Sequence, residues 1–313
     1  MPLSHESRAS EAVALPPGRH EAHRLETWPE PTRLESLRRD GQRHEPDGPS
    51  VPGTVVPLPL SRLPDALVPP NDLAAFERRV GTLAMHPSVA TRRLGWVAGW
   101  PLHAVRLSAR GTPRLRVVVT AGVHGIEPAG PAAVLLFLEQ FLATPLRHEG
   151  VEVTALPLVN PVGYHARTRG NAERIDLNRS FGTGSGAPRE VELVRAGLAG
   201  ERFDLGIDLH SSRSSGERGW FALHRGSLEL LAPAMRRFGQ SFPILCEGTD
   251  RYVLESPGVL RSSNQGTLKD FLADQGARWA VTIEAPAAMP YRTQVLGSAE
   301  VVHALVETAV ALI

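Results

Sequence analysis

Apolar residues recur with two different periods along this 313-residue chain, and the switches between them mark out its elements. The pattern tightens at Asn71, where Asn71 or Asp72 can cap a helix running to about residue 83. Residues 97–107 and 114–120 read as strands, parted by the turn Gly111-Thr112-Pro113. Over 130–142, Leu and Phe form a broad apolar face at helical spacing. Strands are also predicted at 151–159, 203–209, 220–223 and 279–283. Helices are predicted at 188–198, 228–238 and 267–274, with a final amphipathic one at 298–312. The polar stretches 160–181 and 247–265 read as loops. Strands alternating with helices predict an α/β fold: one domain over 71–313, with a mixed, mostly parallel central sheet flanked by helices.

Residues 1–70 follow neither period. They are rich in Pro, Arg, Glu and His, and such a segment cannot bury enough apolar surface to offset the entropy of ordering it. A weak helix fits 31–40, and the proline-spaced run 51–70 suits an extended linker or a strip laid over the domain. The whole segment reads as a poorly structured N-terminal tail, with a pro-segment as the alternative.

Composition removes several classes of function. Charged residues make up 21% of the chain and the net charge is +1, which leaves no broad electrostatic footprint for nucleic acid or an anionic membrane. The one cysteine, Cys246, permits no intrachain disulfide and fits a reducing compartment. It follows an apolar run and reads as a small core residue. The first ten residues lack a signal-peptide apolar core, and no apolar run approaches the roughly 20 residues of a membrane span. A soluble, cytoplasmic protein is expected.

The candidate chemistry lies where strands end. A β-branched run, Val117-Val118-Val119-Thr120, leads into Ala121-Gly122-Val123-His124-Gly125-Ile126-Glu127. Open α/β sheets place ligands at such strand ends. His124 and Glu127 on one tight turn suit a metal, although Glu127 alone could serve the start of the next helix. A second strand delivers Asp208-Leu209-His210 and a third delivers Glu284. Two histidines and one carboxylate leave an open position on Zn²⁺, as a catalytic site requires. Glu284 then suits a general base, and Asp208 can orient a ligand from behind. The loop from Asn160 carries Arg169 and Arg179, suited to a substrate carboxylate or an oxyanion, or else to ion pairs with Glu173 and Asp176. Trp220 and Trp279 read as core, whereas His103, His148, His165 and His224 read as surface or loop residues.

In this order, His-x-x-Glu, Asn-Pro-x-Gly, Arg-x-Asn…Asp-Leu-Asn-Arg, Asp-x-His and Thr-x-Glu resemble the zinc carboxypeptidases of the M14 type, with the carboxypeptidase A fold. The resemblance covers about residues 114–286, and its motif spacing is closest to compact bacterial members such as murein tripeptide amidase. It implies one zinc held by His124, Glu127 and His210, with Glu284 as general base. Arg169 would polarise the scissile carbonyl, and Asn178 with Arg179 would bind a terminal carboxylate. It also implies a mobile tyrosine, but Arg261 stands near that place, and Tyr252 is a substitute out of register. Leu268 is expected near the specificity pocket and would favour an apolar residue, whereas Arg261 or Lys269 would favour an acidic one. The expected substrate is a peptide, or an acyl-amino acid, with a free carboxylate. The second reading is a deacylase similar to the aspartoacylase/succinylglutamate desuccinylase group, which shares His-Gly-x-Glu and Asp-Leu-Asn-Arg. Asn-Pro-x-Gly, and a single helix after Glu284 rather than a further β domain, count against it. A third reading is a pseudoenzyme that binds peptide termini without cleaving them.

Overall fold

The computed structural model describes Trp28 and residues 67–109, 111–144, 149–182, 184, 186–212 and 219–313. Most of the expected tail, and His148, lie outside the described residues. Helix α1 (Leu73–Ala84) opens at Asp72, whose carboxylate accepts the Ala75 N–H at 2.8 Å. Strands β1 (Val89–Val97) and β2 (Trp100–Leu107) form a hairpin across Ala98-Gly99, both at positive φ. The expected single strand at 97–107 is therefore a hairpin that begins eight residues earlier.

Strand β3 (Leu115–Ala121) is followed by α2 (Ala129–Ala143), then β4 (Val151–Leu156) and α3 (Pro161–Ala166). Helix α3 occupies part of the expected loop. Asn160 accepts the Gly163 N–H and Pro161 takes the first turn, where a missing N–H costs nothing. After a 3₁₀ turn (Leu177–Arg179) come α4 (Arg189–Leu198), β5 (Leu205–Ser212), β6 (Phe221–His224) and α5 (Leu228–Phe238). The second expected loop holds a short hairpin, β7 (Val253–Ser256) and β8 (Val259–Arg261). Helix α6 (Leu268–Asp274) begins with a reciprocal capping box between Thr267 and Asp270. Strand β9 (Trp279–Pro286) leads to α7 (Tyr291–Ala311), which starts seven residues before the expected 298.

The strand order is β1-β2-β4-β3-β5-β9-β6-β8-β7. The four central strands, β4-β3-β5-β9, run parallel, and antiparallel pairings lie towards both edges. Parallel strands covered on both faces need near-continuous apolar sequence. Val117, Val118 and Val119 are accordingly fully buried. One face packs against α1, α2, α5 and α7, and the other against α4 and α6. Helix α2 is apolar almost all round because it lies between the sheet and α7. Each of its buried leucines contributes about 1.5–3 kcal/mol.

Val68 is also buried, and the Tyr291 hydroxyl donates to its carbonyl at 2.6 Å. Trp28 reaches the second face, where its indole N–H donates to Glu201 and the guanidinium groups of Arg92 and Arg106 lie over its ring. Trp220 and Trp279 are core residues, as the sequence predicts. Cys246 is exposed rather than buried, because the apolar run before it ends at Leu245. His224 is buried rather than superficial: Nδ1 accepts the Ser227 N–H and Nε2 lies 2.9 Å from Glu255. His103 is half-buried in β2, beside Glu77. Among the described residues no helix is long and apolar enough to cross a membrane.

Candidate metal centre and active site

The carboxyl ends of β3, β5 and β9 meet at one cavity of about 460 Å³. His124 and Glu127 come from the turn after β3. His210 comes from β5, and the parallel register sets it directly beside Glu284 of β9. Nδ1 of His124 lies 2.8 Å from one oxygen of Glu127, and Nδ1 of His210 lies 2.9 Å from the other. The two Nδ1 atoms are 3.1 Å apart. Among the described residues these three form a group whose ligand atoms all lie within 4.8 Å, and all three are buried.

The outer ring nitrogens are also accounted for. Nε2 of His124 lies 3.0 Å from Asp176 and Nε2 of His210 lies 2.7 Å from Asp208. A carboxylate only accepts, so each outer nitrogen carries a hydrogen, which is the arrangement that leaves Nδ1 available to a metal once its own proton is displaced. Both Nδ1 atoms and the Glu127 carboxylate converge on one buried point, and two imidazoles with a carboxylate are a donor set that a divalent cation satisfies. This donor set therefore fits a metal ion. Burial pulls the His210 imidazole down, but the Asp208 and Glu127 carboxylates outweigh it and hold the ring well above its usual value. His124 is raised in the same way: Asp176 and Glu127 outweigh its burial. Burial pushes the Glu127 and Asp176 carboxyls up, yet the imidazoles, together with Arg169 for Asp176, keep both below the usual carboxylate range.

The supporting contacts continue outward. Thr120 donates its hydroxyl to Asp208 at 2.8 Å, and the Ser211 N–H donates to Glu127 at 3.0 Å. The orienting place of Asp208 was legible from its spacing to His210, but those of Asp176, Ser211 and Thr120 were not. Asp176 had a signal in Asp-Leu-Asn-Arg. Ser211 and Thr120 had none, because their contacts depend on strand pairing.

The cavity is lined by Arg169, Asn178, Arg179 and Glu284 as well as by the metal-site residues. Arg169 donates to Asp176 from Nε and Nη2, and its Nη1 is 3.7 Å from Glu127. The two readings of this arginine, ion pair and pocket cation, therefore describe one geometry. Arg179 donates to the Asn178 carbonyl, and the Asn178 side-chain oxygen accepts the Leu268 N–H at 3.0 Å. Leu268 itself is wholly buried and does not line the cavity. The helical turn of α6 points its neighbour Lys269 there instead, with the ammonium 2.7 Å from Asp270. Arg261 is exposed, donates to Glu255 across the β7–β8 hairpin and does not line the cavity. Tyr252 lines the cavity, its hydroxyl accepting from Asn264 at 2.9 Å.

The fold is that of the M14-like carboxypeptidase/aspartoacylase group. The family profile for the succinylglutamate desuccinylase/aspartoacylase catalytic domain matches residues 113–309, and the chain belongs to that family. The fold is shared with a candidate metallopeptidase of Shewanella amazonensis, at 24% identity and a TM-score of 0.63, over 75% of this chain and 92% of that one. It is also shared with a Pseudomonas aeruginosa metallo-carboxypeptidase solved with (2-guanidinoethylmercapto)succinic acid. That match has 21% identity and a TM-score of 0.60, over 77% of this chain and 69% of that one. Carboxypeptidase SOL1 of Arabidopsis thaliana is 32% identical over 97 residues, which are 27% of this chain and 19% of the plant protein.

Proposed function

We propose that the chain is a zinc-dependent hydrolase that frees an amino acid bearing an α-carboxylate from the acyl group on its nitrogen. The first substrate class is a peptide losing its C-terminal residue. The observation that carries this reading is the meeting of the His124, Glu127 and His210 donor atoms with Glu284, Arg169, Asn178 and Arg179 in one cavity. His124, Glu127 and His210 would hold the ion. Bound there, zinc supplies a Lewis acid that polarises a carbonyl and lowers the pKa of water.

The remaining steps belong to the chain. Glu284 takes the proton from the attacking water and returns it to the leaving nitrogen. Arg169 faces the cavity from the side of Glu127 and stabilises the oxyanion. Asn178 and Arg179 hold the free carboxylate, with Asn178 fixed by the Leu268 N–H. A cavity of about 460 Å³ suits the leaving residue with a short acyl portion. The P. aeruginosa protein is described with a succinic acid derivative, which supports a carboxylate-bearing ligand.

A deacylase acting on N-acyl amino acids is the second reading, favoured by the family match. Both reactions release the same kind of amino acid and differ on the acyl side. One experiment separates them. Zinc-loaded protein, with Glu284→Gln as control, is offered peptides with free C-termini and N-acyl amino acids, and products are read by mass spectrometry. C-terminal residues released by the native protein alone establish the carboxypeptidase. Cleavage of the acyl panel alone establishes the deacylase. No product from either, with zinc bound, overturns both.

A further inference from the structure

We propose that Asn71 is a positioning residue for the metal-binding turn, holding it through the carbonyl of Gly125. The inference rests on the reading of His124, Glu127 and His210 as metal ligands. The side-chain amide of Asn71 donates to two carbonyls at once, that of Gly125 at 2.8 Å and that of Tyr164 at 2.7 Å. These acceptors lie 54 and 93 residues further along the chain. Gly125 sits between the ligands His124 and Glu127, and Tyr164 sits in α3. One amide therefore pins the turn to the helix beside it.

The turn is held carbonyl by carbonyl. Ala121 and Gly122 accept the backbone N–H groups of Val159 and Asn160. Val123 accepts from the Asn160 side chain, and His124 from the N–H of Glu127. Gly125 is the next in this series, and Asn71 supplies its donor. The contact with α3 is close: a Cβ built on Gly125 would lie 1.9 Å from the Gly163 carbonyl carbon. Loss of the amide frees the turn at the residue between two ligands.

Asn71 is itself fixed from both sides. It adopts φ 60°, a left-handed conformation that asparagine tolerates better than most residues and that persists only where its surroundings determine it. Before it, Val68 is buried and held by the Tyr291 hydroxyl. After it, Asp72 caps α1 and donates its own N–H to the Pro69 carbonyl. The amide is thus aimed by the chain on both sides of it. The family match opens at residue 113, so this strap lies outside the matched span.

The test uses Asn71→Gly, which keeps access to the left-handed conformation and removes only the amide. Asn71→Asp keeps the shape and sets a carboxylate against two carbonyls. Zinc affinity of the full chain is measured by competition with a chromogenic chelator, beside thermal unfolding of the zinc-free protein. Outer partners of metal ligands typically govern affinity by about 10–100-fold. Asn71→Gly is expected to raise the zinc Kd about tenfold, the low end of that range, and Asn71→Asp at least as much. The zinc-free unfolding midpoint is expected to fall as well, because buried carbonyls lose a donor, so the Kd is read at a temperature where both variants are folded. Asn71→Asp gives the readout independently should Asn71→Gly not fold. An unchanged Kd overturns the proposal, whether or not the zinc-free midpoint falls. A native chain that holds no zinc overturns the ligand reading first, and the inference with it, so the two failures are distinct.

Discussion

Asp176 lies 3.0 Å from Nε2 of His124, a residue 52 positions earlier, and so joins the metal centre to the loop that carries the pocket's arginines. Its second oxygen accepts from Arg169 at 3.1 and 3.2 Å. One carboxylate therefore fixes a proposed ligand and the proposed oxyanion group together. The oxygen that faces His124 also accepts the Asn178 N–H at 3.0 Å, which extends the same constraint towards the carboxylate-binding pair.

Asp176→Asn should weaken this arrangement without emptying it. The amide oxygen can still face His124, but the charge that fixes the ring and Arg169 is lost. Zinc affinity is expected to fall about tenfold. Chelator competition on the variant and the native chain checks this. Equal affinities would show that Asp176 serves Arg169 and Asn178 rather than the metal site.

Glu284→Gln should separate metal binding from turnover. Glu284 is not one of the three grouped donors, so one zinc per chain should remain by elemental analysis. Loss of general acid–base catalysis should lower kcat by about 10²–10⁴-fold or more. A glutamine variant with native kcat would remove Glu284 from this role.

Much of this site was legible because its parts are local in sequence. The valine run of β3 announces a buried strand, and His124 and Glu127 follow in the turn that leaves its last residue, Ala121. His210 and Glu284 also end strands with clear apolar pattern. What was hidden depends on distant partners. Strand β1 includes Thr91-Arg92-Arg93, which gives no alternation, and Arg92 is half-buried because Trp28 covers its guanidinium. Hairpin β7–β8 has only two apolar pairs, Val253-Leu254 and Val259-Leu260, around Pro257-Gly258. Leu268 and Lys269 differ by one helical step, and only the packing of α6 decides which of them meets the cavity.

Asp270 should make stability depend on acidity. Burial raises its pKa, but Lys269 and the Thr267 donors outweigh burial and hold it below the usual carboxylate range. A depressed carboxyl stabilises the fold above its unfolded value, near pH ~4, and that contribution fades as pH falls towards the folded value. Asp270→Asn should cost about 1–2 kcal/mol at neutral pH, as loss of a cap with a charged partner does. Its deficit in Tm against the native chain should be constant at neutral pH and shrink as pH falls below about 4 towards the depressed folded value. A deficit that is constant with pH would place the effect in shape rather than charge.

Two glycine-to-alanine substitutions should act with opposite sign. In α7, a Cβ on Gly297 would lie 2.4 Å from the ring of Trp220. That ring is fully buried, with Phe238 and Phe242 at centroid distances of 5.6 and 5.4 Å, and cannot retreat. Overpacking of about 1–3 kcal/mol outweighs the roughly 1 kcal/mol gained in helix propensity, so Gly297→Ala should lower Tm. In α1, Gly81 has nothing within 4 Å of its Cβ position. Gly81→Ala should stabilise by about 0.5–1 kcal/mol, or roughly 1–4 °C in Tm. Thermal unfolding of both variants decides it, and a gain at both positions would show that Trp220 yields to the helix.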